Sequence, residues 1–269
     1  MSNETPGYIP VSEWPDLEAL AVGYGEHLMS ESNKLNGKRL VLTFNDGTRI
    51  AHQFSDDNTL KWEILESAQS GKAEYKALEV RPAIFFIDFY KPDHEEQVTL
   101  ILNTSTGQAI AGISGFHTKD NQKRTRTKFS HASIDGDSDS SNTIAPFQPT
   151  QDLIGKHILY RYTPRDAYEH IYHNQGTFTW HCLSGTEKGL ADTEPCKMLK
   201  VAKKLYLLFW SEKIMPVESI VMVDLERMRS TGRFFCWDPK PKRRVQMLFG
   251  SYATVLAETD AAGVVASKM

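Results

Sequence analysis

Three short segments in the second half of the chain concentrate the residues suited to chemistry: Gly155-Lys-His-Ile-Leu-Tyr-Arg-Tyr162, Tyr168-Glu-His-Ile-Tyr-His173 and Thr179-Trp-His-Cys-Leu-Ser-Gly185. On a strand, alternation puts Ile158, Tyr160 and Tyr162 on one face and His157, Leu159 and Arg161 on the other. With Ile158 turned into a core, both phenols follow it. There they can donate hydrogen bonds to one oxygen-bearing ligand while their rings serve as apolar wall. His181 adds a group that titrates near neutrality. Tyr160, Tyr162 and His181 are therefore candidate catalytic residues, with His170 and Tyr172, which share a face, as candidate substrate-binding residues. The plainer reading is structural, since tyrosine is common in strands and can turn its hydroxyl to solvent.

Other chemistries find less support. His170 and His173 are an odd number of residues apart, so on a strand they cannot share an ion. No HxH or HExxH pattern accompanies them, and neither a protein-bound metal nor a cofactor is expected. Cys182, Cys196 and Cys236 are an odd number without a CxxC pair, so they suggest neither a disulfide framework nor a zinc site. Cys182 alternates away from His181, which weakens a Cys–His dyad. No glycine-rich phosphate loop is present. The basic runs Lys123–Lys128 and Lys240–Arg244 read as solvated hairpin turns. With 31 Lys plus Arg against 34 Asp plus Glu, a net charge of -3 gives no reason to expect nucleic acid as a partner. The first residues lack a signal-peptide pattern, and no run approaches the apolar length needed to span a bilayer. The expectation is a soluble cytoplasmic protein, with a homodimer left open.

The elements that must position these residues are short. Residues 12–32 predict one helix, with Ser12 as N-cap and Trp14, Leu17, Leu20, Ala21, Tyr24 and Leu28 at helical spacing. Beyond it come β-rich segments separated by turn signals: 38–44, 48–54, 59–65, 73–80, 84–90, 97–103, 108–116 and 125–133. The polar stretch Ser133–Asn142 reads as a mobile linker. The rhythm then restarts at 156–162, 167–173, 177–183, 192–201, 204–210, 218–224, 230–237 and 243–256. At an offset of 118, Gly37, Lys38, His52, Thr59, Trp62, Leu65 and Gly71 meet Gly155, Lys156, His170, Thr177, Trp180, Leu183 and Gly189. Further on the offset drifts to 120–121.

Two copies of an eight-strand meander close most easily as up-and-down barrels, which removes exposed edges. The fold class is thus all-β, tandem lipocalin-like (calycin) antiparallel barrels with an N-terminal helix. The expected divisions are 1–36, 37–132, a linker at 133–150, 151–257 and a flexible tail at 258–269. The repeat supplies an internal control, because Tyr160, Tyr162 and His181 correspond to Leu42, Phe44 and Glu63. The polar set belongs to the second barrel alone.

Two resemblances follow from these residues. GKHILYRYTPRDAYEHIY, FTWHCLSG, LYLLFWSE and STGRFFCWD resemble the C-terminal domain of the MoaF (molybdenum cofactor biosynthesis protein F-like) family. GKRLVLTFNDGTRIAHQF resembles its N-terminal domain. The family name points to cofactor synthesis, but no residues here make a recognisable pterin or molybdate site. Residues 154–238 also resemble the phenolic acid decarboxylases. Gly155, Lys156, His157, Tyr160 and Tyr162 match their opening strand, and Trp210-Ser211-Glu212 and Phe234-Phe235-Cys236-Trp237 echo later segments. That resemblance implies that Tyr160 and Tyr162 hold a substrate carboxylate, that a glutamate near Glu194 moves protons, and that no cofactor is needed. It also brings Trp210 into the candidate binding set. Where those enzymes carry an arginine this chain has His181, which cannot supply a bidentate fork. The expected function is a cofactor-independent lyase or isomerase acting on a small apolar or phenolic molecule. The alternative is a non-catalytic carrier or sensor of such a ligand.

Overall fold

The computed structural model describes residues 7–17, 19, 22–135 and 144–267. Sixteen strands form two closed barrels. In the first, β1 (Arg39–Phe44), β2 (Arg49–Phe54), β3 (Thr59–Ile64), β4 (Ser70–Arg81), β5 (Ile84–Lys91), β6 (Glu96–Asn103), β7 (Gln108–Lys119) and β8 (Gln122–Ile134) pair in sequence order, and β8 returns to β1. A two-residue strand, β9 (Gln148–Pro149), precedes the second set. That set comprises β10 (Lys156–Arg161), β11 (Ala167–Asn174), β12 (Thr177–Ser184), β13 (Ala191–Ala202), β14 (Leu205–Ser211), β15 (Val217–Asp224), β16 (Arg229–Asp238) and β17 (Arg243–Glu258). Every neighbour is antiparallel, and the β10–β17 and β12–β13 pairings close the ring.

Both barrels fill by alternation. In the first, Leu42, Phe54, Leu60, Trp62, Ile87, Leu100 and Leu102 point inward and are buried. In the second, Ile158, Tyr160, Tyr162, Tyr172, Phe178, Trp180, Tyr206 and Phe249 do so. The sequence repeat is also a repeat of register: His52 faces Trp62 across β2–β3, and His170 faces Trp180 across β11–β12. Burial disfavours the imidazolium at both histidines, bringing His52 to about 4 and His170 to about 3.

The copies differ at the next hairpin. Trp62 faces Gly71, nine residues on, whereas Trp180 faces Asp192, twelve residues on. Three extra residues therefore enter the β12–β13 connection, and the repeat offset drifts from this point.

Residues 12–32 are not one helix. A 3₁₀ turn spans Val11–Glu13, and Trp14 is extended (ψ 141°) because the following Pro15 disfavours the helical region. Leu17 and Ala19 are helical, while Glu18, Leu20 and Ala21 lie outside the described residues. Turns take over from residue 22, where Gly23 adopts φ +88°. Nor is this segment a separate extension. The described residues of Met1–Leu28 and Pro149–Met269 form one compact unit, and those of Met29–Gln148 another. Of the expected linker, residues 136–143 lie outside the described residues, and the expected tail contains a helix, Ala261–Ser267. Among the described residues no helix is long and apolar enough to cross a membrane.

Candidate functional site

The second barrel holds a cavity walled by Tyr162, Tyr168, His170, Trp180, Trp210 and Phe234, with Met215, Val217, Cys236 and Met247 along its sides. Counted over the positions that the centre of a water-sized sphere can take, it measures about 70 Å³. One water needs roughly 10–15 Å³ by this measure, so the space suits a single small molecule.

The N-terminal segment supplies part of the cavity wall. Leu17 and Tyr24 contribute to its lining. The Tyr24 ring stacks on Tyr162 at 4.9 Å, and Trp14 meets Trp180 edge-on at 5.9 Å. This strap is held to the barrel through backbone atoms. Gly250 N–H donates to the Tyr24 carbonyl at 3.3 Å, and Arg229 Nη2 donates to the His27 carbonyl at 2.7 Å.

A polar chain descends from the strap. Tyr24 O–H donates to the Tyr168 hydroxyl at 2.8 Å, which donates to Glu187 Oε2 at 2.6 Å. Glu187 lies in the lengthened β12–β13 loop, which folds back through Leu190 N–H to the Glu187 carbonyl and Cys182 N–H to the Leu190 carbonyl. Asp166 braces the loop by accepting from Thr186 N–H. Gly185 (φ +116°) passes so close to Asp166 that a Cβ would fall 2.1 Å from Oδ1, which makes glycine obligatory there.

Burial raises the Glu187 carboxyl to about 7; the Tyr168 hydrogen bond opposes the shift and the Asp166 charge adds to it. Glu212, half-buried just after β14, is raised well above 4.5 by burial and then by Glu187 and Glu194. Two buried polar atoms of the cavity-lining residues have no hydrogen-bond partner among the described residues, Glu187 Oε1 and Trp180 Nε1, whereas the Trp210 indole N–H is turned to Glu212. Unsatisfied buried groups are costly, so atoms of this kind mark places where a ligand can supply the missing bonds.

The structure divides the sequence candidates. Tyr162, His170 and Trp210 line the cavity. Tyr160 and Tyr172 are buried inside the same barrel but bond to each other, hydroxyl to hydroxyl, at 3.0 Å. Glu194 is buried on β13, is raised to about 7 chiefly by burial, and accepts from Lys213 N–H at 3.0 Å. It is not part of the cavity lining. His181 departs from expectation. Alternation on β12 turns Trp180 and Cys182 inward and His181 out, where it lies 3.8 Å from Glu169, itself 3.6 Å from His157. His181 is on the outer face while Glu194 is buried on β13. Tyr24, Tyr168, Glu187 and Glu212 escaped the sequence reading. For Glu187 the signal was available in the drift of the repeat offset, which marks a loop that is longer than its counterpart in the first copy. Among the described residues no group of three or more His, Cys, Asp or Glu is placed to hold a metal ion.

A tandem pair of lipocalin-like up-and-down barrels, the second one hollow, is the class that this geometry defines. The chain belongs to the MoaF family. The family's N-terminal domain matches residues 12–118 and its C-terminal domain residues 147–259. Protein MoaF of Klebsiella aerogenes is 30% identical over 231 residues, covering 80% of this chain and 84% of that protein. A crystal structure from Burkholderia vietnamiensis, provisionally assigned as a beta-lactamase, is similar at 14% identity and a TM-score of 0.34 over 40% of this chain and 99% of its own.

Proposed function

We propose that the second barrel is a cofactor-independent lyase or isomerase site, acting by acid–base chemistry on a small apolar or phenolic molecule with an oxygen function. The observation that carries this reading is Glu187. Its Oε2 is fixed by Tyr168, its Oε1 has no partner among the described residues, and its carboxyl is raised to about 7 in an aromatic cavity. A carboxyl poised near neutrality both accepts and returns a proton efficiently. The Trp180 indole N–H is suited to an oxygen on the substrate, where it would polarise a carbonyl while Glu187 removes a neighbouring C–H proton. The Tyr160–Tyr172 hydrogen bond engages one of the two phenols that a decarboxylase would turn to a substrate carboxylate, and in this reading proton transfer falls to Glu187.

The aromatic and apolar character of most of the lining favours the second reading, a carrier or sensor. Incubation with phenylacetone in heavy water separates the two. Deuterium entering the probe with the wild type but not with Glu187→Gln supports the enzyme. Saturable binding without exchange supports the carrier, and no binding sinks both.

A further inference from the structure

The charge of the cavity is one-sided. Its lining carries two carboxyl groups, Glu187 and Glu212, and among the described residues no lysine or arginine. The one lining histidine, His170, is fully buried and stays neutral. The phenols of Tyr24, Tyr162 and Tyr168 are held neutral by burial as well. An anionic ligand entering here would meet no cation and would face carboxyls whose own ionisation the site already resists.

A cation meets the opposite conditions. Tyr24, Tyr162, Tyr168, Trp180, Trp210 and Phe234 offer ring faces and edges around one space, with neighbouring centroids 4.9 Å (Tyr24–Tyr162), 6.3 Å (Tyr168–Trp180) and 5.9 Å (Trp210–Phe234) apart. Aromatic faces attract ammonium groups, most strongly when water is excluded. Glu187 is 7% exposed, and its Oε1 has no partner among the described residues. An N–H donor on the ligand would satisfy that oxygen, and its positive charge would offset the repulsion between Glu187 and Glu212. Resting on the reading of this barrel as a small-molecule site, we infer that the cavity selects a small organic ammonium, its cation lying among the aromatic rings beside Glu187 and Glu212. The class is a primary amine on a compact apolar body. Carboxylates, including the hydroxycinnamates of the decarboxylase resemblance, are excluded as ligands.

Three probes of matched shape test this: benzylamine, benzyl alcohol and benzoate, titrated calorimetrically into the intact chain at about pH 7.5. Benzylamine is expected to bind about tenfold or more tighter than benzyl alcohol, a difference of about 1.4 kcal/mol, with benzoate giving no heat. Glu212→Gln and, separately, Glu187→Gln are expected to lower benzylamine affinity by about tenfold while leaving benzyl alcohol within about twofold. The alcohol thereby reports that each variant still folds around an intact cavity. Benzoate binding as tightly as benzylamine, or benzylamine affinity unchanged in both variants, overturns the ammonium inference. Benzyl alcohol bound with no preference for the amine also overturns it and leaves the small-molecule site standing. If none of the three binds, both readings fail.

Discussion

The Tyr168 hydroxyl donates to Glu187 Oε2 at 2.6 Å, joining a phenol on β11 to a carboxyl in a loop that is three residues longer than its counterpart in the first barrel. Tyr168 in turn receives the Tyr24 hydroxyl, so one line of hydrogen bonds runs from the strap to the carboxyl. The geometry fixes one carboxyl oxygen and leaves the other unpartnered among the described residues. Attachment of the strap and orientation of Glu187 are therefore linked through one phenol.

Glu187 should make stability depend on pH. Its folded value of about 7 lies above the ordinary 4.5, so the protonated form is favoured in the native state. The resulting stability is fully present below pH 4.5 and is lost as pH rises to about 7. Its magnitude is of order 3 kcal/mol, at roughly 1.4 kcal/mol per pH unit. Glu194 titrates in the same direction. Thermal melts of wild type should fall across this interval, and Glu187→Gln should flatten a clear part of the fall. An unchanged slope in the variant would mean that Glu187 ionises normally.

Tyr24 should act through two separable effects. Tyr24→Phe removes the hydrogen bond to Tyr168 but keeps the ring stacked on Tyr162, with an expected cost of about 1 kcal/mol. Tyr24→Ala removes the ring as well and should cost about 3–5 kcal/mol in the strap's attachment. Trp180 and Trp210 then become open to a soluble quencher, which the phenylalanine variant should still exclude. Equal quenching in both variants would show that the strap does not seal the cavity.

Most of the barrel architecture was legible in the residues, and the reason is physical. Alternation has a period of two, and each turn carries its own chemistry, so all sixteen strand segments could be placed from the text alone. The inward direction of Tyr160 and Tyr162 followed from Ile158. What stayed hidden depends on distance in space. Tyr24 lies 144 residues before Tyr168, and no local pattern announces that meeting. The helical spacing of residues 12–32 was a coincidence of apolar positions, which Pro15 and Gly23 override. His181 was a candidate for its titration near neutrality, and the alternation that turns Trp180 and Cys182 inward puts it on the outer face.

Gly250 should control the strap from the barrel side. A Cβ there would lie 2.1 Å from the His27 carbonyl oxygen and 2.8 Å from the Leu28 Cα, neither of which is a flexible side-chain end. Gly250→Ala should therefore lift the strap. Limited proteolysis should cleave before residue 29 much faster than in wild type, while circular dichroism retains the β signal. Cleavage at the wild-type rate would show that the strap accommodates the methyl group.

His181 should be dispensable for whatever occurs inside the barrel. Its ring is 40% exposed on the outer face and lies 3.8 Å from Glu169, beyond ordinary hydrogen-bond length. Exposed pairs of this kind contribute about 0–1 kcal/mol and are screened by salt. His181→Ala should accordingly change stability by less than about 1 kcal/mol and leave probe binding at the wild-type level. His170→Ala is the informative comparison, since it opens space among Tyr160, Phe178 and Trp210 on the inside. Binding lost in the His181 variant but retained in the His170 variant would place the site on the outer sheet and remove the cavity from consideration.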